Sequence, residues 1–274
     1  MGVYRKWTQE QLLDIKRLYT EEGWTLAQIG KKYSAKGDTI SKKLKEQGVT
    51  IRRGNISKNR RLNENYFSVI DRPEKAYFLG LLFTDGNITL DKENIRVPAL
   101  RIELVETDKE ILEKFKEELQ SDASLSYNKR TNRKNGTFSL IIRNRQLAND
   151  LSKFNIIPNK TYLVDNLIIP ENFKIDFFRG LIDGDGSIYQ LKTGHWQMNI
   201  CGHSLNVVSQ ISELGNSFID KKGSGHISFY DNVYRHTWNE KDTKKLLEIM
   251  YKNCKIAIAR KQLKAMAAIE DKKS

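Results

Sequence analysis

Two acidic residues occupy matching places in two copies of one short pattern. Phe78-Leu79-Gly80-Leu81-Leu82-Phe83-Thr84-Asp85-Gly86 aligns without gaps to Phe178-Arg179-Gly180-Leu181-Ile182-Asp183-Gly184-Asp185-Gly186, so that Asp185 follows Asp85 by 100 residues. Each copy reads as the end of an apolar helix. Gly80 and Gly180 carry no side chain where a second helix backbone must come close. Pairing the two helices brings Asp85 and Asp185 together at their carboxyl ends. Such an end already carries about half a negative charge, so the meeting is unfavourable unless a cation or a raised pKa offsets it. A divalent ion such as Mg2+, held by one or two carboxylates and by phosphate oxygens, is the chemistry that suits the pair. Gly86 and Gly186 then permit the turn out of each helix.

The elements that must position these acids repeat in the same order. After each nonamer comes a short alternating strand (87–90 and 187–189), then a second strand (around 95–105 and 195–202). A helix is expected over 108–120 and 204–216, then a hairpin centred on Asn135-Gly136, a strong turn signal, and on Asp231-Asn232, a weaker one. A closing helix is expected over 144–154 and 241–252. The economical fold class is α+β, with tandem αββαββα units over residues 71–165 and 166–274. Ahead of them, residues 1–50 show three short helices. Thr8 caps a first one carrying Leu12, Ile15 and Leu18, and Gly23 stops it. Thr25 caps a second one with Leu26 and Ile29 inward. A third carries Ile40 and Leu44 and ends near Gly48; its start is left open, because Lys36 stands where a Ser or Thr cap is expected. Residues 51–70, with Arg52 and Arg53, read as a basic linker.

Composition narrows the partners. Lys and Arg number 47 against 34 Asp and Glu, a formal charge of +13 that calls for a polyanion. Hydrophobic residues at 39% argue against global disorder. No stretch approaches the roughly 18 apolar residues of a membrane span, and the first residues are charged. Two cysteines, Cys201 and Cys254, cannot frame a disulfide scaffold and fit a reducing interior, so a cytoplasmic location is expected. An EF-hand at Asp183 fails, because Ile188 and Gly194 stand where the loop needs glycine and glutamate. A zinc site from Cys201, His203, His195 and Cys254 lacks paired-ligand spacing.

Ile29-Gly30-Lys31-Lys32-Tyr33 followed by Thr39-Ile40-Ser41-Lys42-Lys43-Leu44-Lys45 resembles the helix-turn-helix of bacterial and phage DNA-binding proteins. The resemblance implies that Thr39, Ser41, Lys42, Lys43 and Lys45 on the third helix meet bases and phosphates. The two nonamers resemble the LAGLIDADG motif of homing endonucleases, and their tandem layout resembles the single-chain, two-motif members. This likeness covers residue 66 to about 265, and the amino-terminal helices look like the extension in phage and bacterial relatives, which implies the cytoplasm of a bacterial or phage-infected host cell.

What the resemblance implies is specific. The two units form a pseudo-twofold saddle, and Asp85 and Asp185 hold Mg2+ or Mn2+, with Ca2+ as a non-catalytic substitute; the carbonyls of Thr84 and Gly184 add ligands. The metal activates water and stabilises the departing oxygen of a phosphodiester. Phe83 replaces the acid that Asp183 retains, at a position that is not a ligand in the family. Lys160 and Lys261 match the basic residue that relatives place after each unit's last helix, where it stabilises phosphate charge. Alternate strand residues face DNA: Asn87, Thr89, Asp91, Arg101, Glu103, Ser139 and Arg143 in the first unit, with Ile88 and Leu90 inward. In the second they are Ser187, Tyr189, Gln197, Asn199, Arg235 and Thr237. Register matching sets Glu103 against Asn199. The implied protein is a monomeric double-strand DNA endonuclease with a long asymmetric target. It cuts across the minor groove, without membrane or obligate protein partner. Two alternatives on the same fold remain: a regulator whose nuclease has died, which the retention of both acids disfavours, and an RNA-splicing maturase. An intein is not expected, because the chain opens directly on the helical domain.

Overall fold

The computed structural model describes residues 7–22, 24–51, 61–90, 97–129 and 135–271. Gly23, Arg52, Arg53 and Asp91, singled out above, lie outside the described residues. The chain divides into one unit of Met1–Arg61 and another of Leu62–Ser274.

In the smaller unit, α1 (Gln9–Thr20) and α2 (Leu26–Lys32) begin with reciprocal caps. The Thr8 hydroxyl accepts from the Gln11 amide at 3.2 Å while the Gln11 side chain accepts from the Thr8 N–H at 3.2 Å. Thr25 and Gln28 do the same for α2. Helix α3 (Gly37–Glu46) starts after Lys36, whose side chain makes no cap. Ile15, Leu18, Tyr19, Ile29, Ile40 and Leu44 form the core, so each expected inward residue of the second and third helices except Leu26 is fully covered. Asp14 on α1 accepts from Lys32 Nζ at 2.7 Å and Tyr33 Oη at 2.5 Å, and these donors hold its carboxyl below the usual carboxylate range. That tie pins α1 to the end of α2.

The larger unit runs α4 (Pro73–Asp85), β1 (Gly86–Thr89), β2 (Ala99–Val105), a 3-10 turn (Glu106–Asp108), α5 (Lys109–Glu118), β3 (Ser126–Asn128), β4 (Thr137–Arg143) and α6 (Arg145–Ser152). After the short α7 (Lys160–Leu163) the order repeats as α8 (Lys174–Asp185), β5 (Gly186–Gln190), β6 (Trp196–Gly202), α9 (Leu205–Ser217), β7 (His226–Tyr230), β8 (Val233–Trp238) and α10 (Glu240–Tyr251), and α11 (Ala259–Glu270) follows. Two antiparallel sheets result, ordered β1-β2-β4-β3 and β5-β6-β8-β7. The expected αββαββα order is present twice; α7 and α11 are additions. One face of each sheet, carrying Ile88, Leu100, Ile102, Leu140 and Ile142 or Ile188, Met198, Ile200 and Trp238, joins the helices in one continuous core. Among the described residues no helix is long and apolar enough to cross a membrane.

The two repeats meet at α4 and α8. A Cβ added to Gly80 would stand 2.1 Å from the Phe177 carbonyl oxygen, and one added to Gly180 would stand 2.1 Å from that of Tyr77. The helices therefore touch backbone to backbone, which any side chain at either position would forbid.

Three details depart from expectation. The unit begins at Leu62, and Tyr66 and Phe67 are buried in its core, so the expected boundary at residue 71 falls inside folded structure. Asn128 pairs with Thr137, so the first hairpin is not a two-residue turn at Asn135-Gly136. Gly136 has another reason to be there: a Cβ on it would meet the Tyr127 hydroxyl at 2.4 Å. The weaker signal is the one that holds. Tyr230 pairs with Val233 across Asp231 and Asn232, both at positive φ (53° and 61°), as a type I′ turn requires. Leu90 lies beyond β1 and is exposed rather than inward.

The crossing gives a direct test. Gly180→Ala is expected to cost about 3 kcal/mol through overpacking, measured as the shift in urea unfolding free energy of the full chain; a loss below about 0.5 kcal/mol would mean that the two backbones are not in contact.

Candidate active site

The carboxyl ends of α4 and α8 finish side by side because the glycine crossing lies only one to two turns earlier in each helix. The ends interlock: the Thr84 hydroxyl and Asp85 Oδ2 occupy the space where a Gly184 side chain would begin, 1.8 and 2.8 Å from that Cβ position. Burial and the neighbouring Asp185 push Asp85 up to about 7. Asp185, exposed at its outer edge, is raised as well by the loss of water around it at the helix ends, against the pull of Lys160, Lys261 and His203. The two acids are thus close enough to feel each other and the same two ammonium groups.

Those ammonium groups sit on the helix ends. Lys160 Nζ donates to the carbonyls of Thr84 at 3.1 Å and Gly86 at 2.5 Å. Lys261 Nζ donates to those of Ile182, Asp183, Gly184 and Gly186, at 2.7, 2.5, 3.2 and 2.7 Å. Each lysine satisfies the carbonyls that a helix leaves without partners at its last turn and offsets the negative end of the dipole. Burial lowers Lys160 and brings Lys261 to about 8. The two new helices explain how lysines so far along the chain arrive here: Lys160 opens α7, and Lys261 lies in the first turn of α11.

Among the described residues no cluster of three or more His, Cys, Asp and Glu gathers to hold a metal. The donors present are two carboxylates and the carbonyls of Thr84 and Gly184, all oxygen. That set fits a hard ion such as Mg2+ or Ca2+ completed by water or phosphate, and not zinc. Each carbonyl has a second lone pair beyond the one its lysine uses.

Asp183, the acid without an assigned ligand role, is fully buried. It accepts from Tyr77 Oη at 2.8 Å, Tyr251 Oη at 2.7 Å and the Ile258 amide at 2.8 Å. It joins α8 to α4, α10 and the start of α11. Phe83, its counterpart, packs partly buried against the core instead. Arg179 completes the frame, donating to the carbonyls of Ile256 at 2.9 Å and Met250 at 3.0 Å and to Asp176 at 2.7 Å. Tyr77, Tyr251 and Arg179 escaped the sequence reading. The signal for Arg179 was there: a cation flanked by Phe178 and Gly180 in an apolar helix demands buried partners.

The expected parity of the strands is observed. Asn87 faces Arg101 and Glu103 faces Ser139 across the first sheet; Ser187, Asn199 and Thr237 align across the second, as do Tyr189 with Gln197 and Cys201 with Arg235. Asn87, Thr89, Arg143, Ser187 and Arg235 are exposed. Ser139, Asn199 and Thr237 lie on that face but are less than a tenth exposed, at 7%, 7% and 8%. Arg101 is paired with Glu103, which also accepts from Thr137 at 2.8 Å. Tyr189 donates to Gln197 at 3.0 Å, and Arg235 Nε donates to the Cys201 thiol at 3.2 Å. The pairing of Glu103 with Asn199 is overturned. Gly86 faces Ile102 whereas Gly186 faces Ile200, so the counterpart of Asn199 is Arg101 and that of Glu103 is Cys201. The first β-connection is two residues longer, an even number, which preserves the face and shifts the depth. In the smaller unit, Thr39, Lys42 and Lys45 are exposed; Ser41 and Lys43 are half-buried, and Lys43 pairs with Glu46 at 2.6 Å.

Residues 72–155 match the LAGLIDADG-like domain family. No curated protein sequence matches the chain. Solved structures do match in fold. The I-SmaMI LAGLIDADG homing endonuclease bound to cleaved DNA is 17% identical over 73% of this chain and 88% of its own, with a TM-score of 0.50. The homing endonuclease I-WcaI bound to its DNA recognition sequence is 15% identical over 78% of this chain and 95% of its own, with a TM-score of 0.52. At such identities the likeness is one of fold: the chain has the LAGLIDADG fold.

The raised Asp85 carboxyl has a measurable consequence. Folded protein keeps that proton up to about pH 7, whereas an unfolded aspartate releases it near 3.8. Stability therefore falls as pH rises through that window. Asp85→Asn removes the titration, so its urea midpoint is expected to gain on the parent's between pH 5 and pH 8. A gap that stays constant with pH would contradict the burial of this carboxyl beside Asp185.

Proposed function

We propose that the chain is a site-specific, divalent-metal-dependent DNA endonuclease of the homing type, cutting both strands of a long asymmetric duplex. The observation that carries this reading is the opposed pair Asp85 and Asp185, each raised in pKa and each at a helix end already capped by a lysine. Helix packing brings the two acids together there at an electrostatic cost, and among the described residues the side-chain bond to the pair is a long one, from the Thr84 hydroxyl to Asp85 at 3.5 Å. Asp85 and Asp185, with the carbonyls of Thr84 and Gly184, would hold the metal, which when bound activates water and offsets charge on the leaving oxygen. Lys160 and Lys261 bring fixed positive charge to the same spot, where a phosphate gathers negative charge during hydrolysis. The polar strand face, with Asn87, Thr89, Arg101, Glu103 and Arg143 in one sheet and Ser187, Tyr189, Gln197 and Arg235 in the other, would seat the two half-sites. Ser139, Asn199 and Thr237 would shape that face more than they touch bases.

The smaller unit extends the reading. Its three helices, two of them capped by threonines, and the exposed Thr39, Lys42 and Lys45 on α3 suit a major-groove contact. A tethered second module raises affinity without joining in the chemistry. Both structural neighbours named above were solved with DNA, which supports a duplex partner for this fold.

Incubation with a randomised duplex library and Mg2+, followed by capture of cut ends, tests the proposal. The parent is expected to cut. Asp85→Asn and Asp185→Asn are expected to abolish double-strand cleavage, and Lys160→Ala or Lys261→Ala to slow it by about a hundredfold or more. Retention of a specific duplex without any cutting would turn the reading toward a DNA-binding regulator. On a selected duplex, Lys42→Ala and Lys45→Ala are each expected to weaken binding and to reduce the slope of log affinity against log salt by about one. Unchanged slopes would remove α3 from the interface.

A further inference from the structure

We propose that Asp108 and Arg260 form a positioning pair that fixes Lys261 at the carboxyl end of α8, so that one of the two cleavage centres depends on a side chain from the opposite repeat. The inference rests on the endonuclease reading and deepens it.

Asp108 precedes α5 at its cap position, where an aspartate ordinarily accepts from the amides of its own first turn. It makes no such bond. Its carboxylate instead receives Arg260 Nε at 2.9 and 3.1 Å and Arg260 Nη2 at 2.8 Å, a two-pronged pairing from a residue 152 positions away. Asp108 is 4% exposed, so its charge has left water for this partner. A local cap has been forgone for a bond between repeats.

The reason lies in α11. That helix opens with Arg260 and Lys261 in its first turn, no acid there, and no side-chain cap. Two cations at the positive end of a helix dipole oppose its formation. The compensating carboxylates come from elsewhere. Asp183 accepts the Ile258 amide at 2.8 Å, and Asp108 takes Arg260. Held at both points, the first turn delivers Lys261 onto the carbonyls of Ile182, Asp183, Gly184 and Gly186. A bidentate guanidinium pair sets both direction and distance, which a single ammonium would not.

The device is not repeated. Asn159 stands before Lys160 where Arg260 stands before Lys261. At the cap of α9, the position that answers to Asp108 before α5, Ser204 accepts from the Val207 amide at 3.1 Å and donates to the Asp165 carboxylate, in the chain that follows α7. Among the described residues only Lys261 follows a residue tied by charge to the other repeat, so loss of that tie falls on one strand.

The test uses the full chain, a cleavable duplex with each strand separately labelled, and Mg2+ under single-turnover conditions. Asp108→Asn and Arg260→Lys are each expected to slow nicking of one strand by about tenfold to a hundredfold, while the other strand keeps its rate and duplex affinity holds. Should Asp108→Asn fail to fold, Arg260→Lys, which retains the charge opposite Asp108, decides the matter. Equal slowing of both strands, no change in either, or loss of folding in both variants would overturn the proposal, because the pair would then serve the fold as a whole. A parent that cuts neither strand would overturn the endonuclease reading itself, a result distinct from a parent that cuts and variants whose strands stay in step.

Discussion

Everything in the larger unit follows from two helices that touch through their backbones. With no side chains at Gly80 and Gly180, the axes of α4 and α8 come as close as sterics allow, and the Phe177 and Tyr77 carbonyls fill the space where side chains would start. Closeness at the crossing fixes closeness at the ends, a turn or two later. The aspartates are therefore brought together by the packing of apolar helices and not by any attraction of their own.

The consequence is an electrostatic debt at the helix ends, and the chain carries most of its own remedy. Two ionised aspartates and two helix termini amount to about three negative charges. Lys160 and Lys261, bonded to the terminal carbonyls, supply two positive ones. Burial first, and then the neighbouring Asp185, hold the Asp85 carboxyl up to about 7, so that the site can keep a proton where about one charge is left over. A divalent ion would reverse the sign and make the spot attractive to phosphate. The lysines permit the helices to terminate together, and in the endonuclease we propose they would also stand where a phosphodiester needs them.

Much of this was legible in the residues. The gapless repeat located both glycines and both acids, and period-two alternation sorted strand faces correctly at Leu100, Ile102, Leu104, Leu140 and Ile142. What escaped was whatever depended on loops and on partners distant in sequence. A two-residue difference in one β-connection moved Asn199 opposite the wrong neighbour without disturbing its face. The Asn135-Gly136 pair looked like a tight turn but answers to the ring of Tyr127. Helices α7 and α11 carry weak local signals: one has only four residues, and the other starts with cations at its unfavourable end. Such a helix forms because Asp108 and Asp183 reach it from elsewhere, and no window of local sequence contains that fact.

The same remote contacts explain why a repeated fold need not give two equal centres. Asp183 fastens α8 to α4 through Tyr77, to α10 and to the residue before α11, whereas among the described residues Phe83 at the matching place leaves the end of α4 to apolar packing and Lys160. Arg179 adds three donated bonds on the α8 side, and Leu79 at the matching position adds none. The second helix end is consequently braced by a buried polar frame and the first is not. A buried polar network fully satisfied on all sides is stiff and specific in geometry, because any displacement strands a donor or a charge away from water. Apolar packing tolerates small shifts at far lower cost. The two helix ends, matched in their acids, are therefore unequal in what fixes them: a buried polar frame at α8, and apolar packing with Lys160 at α4.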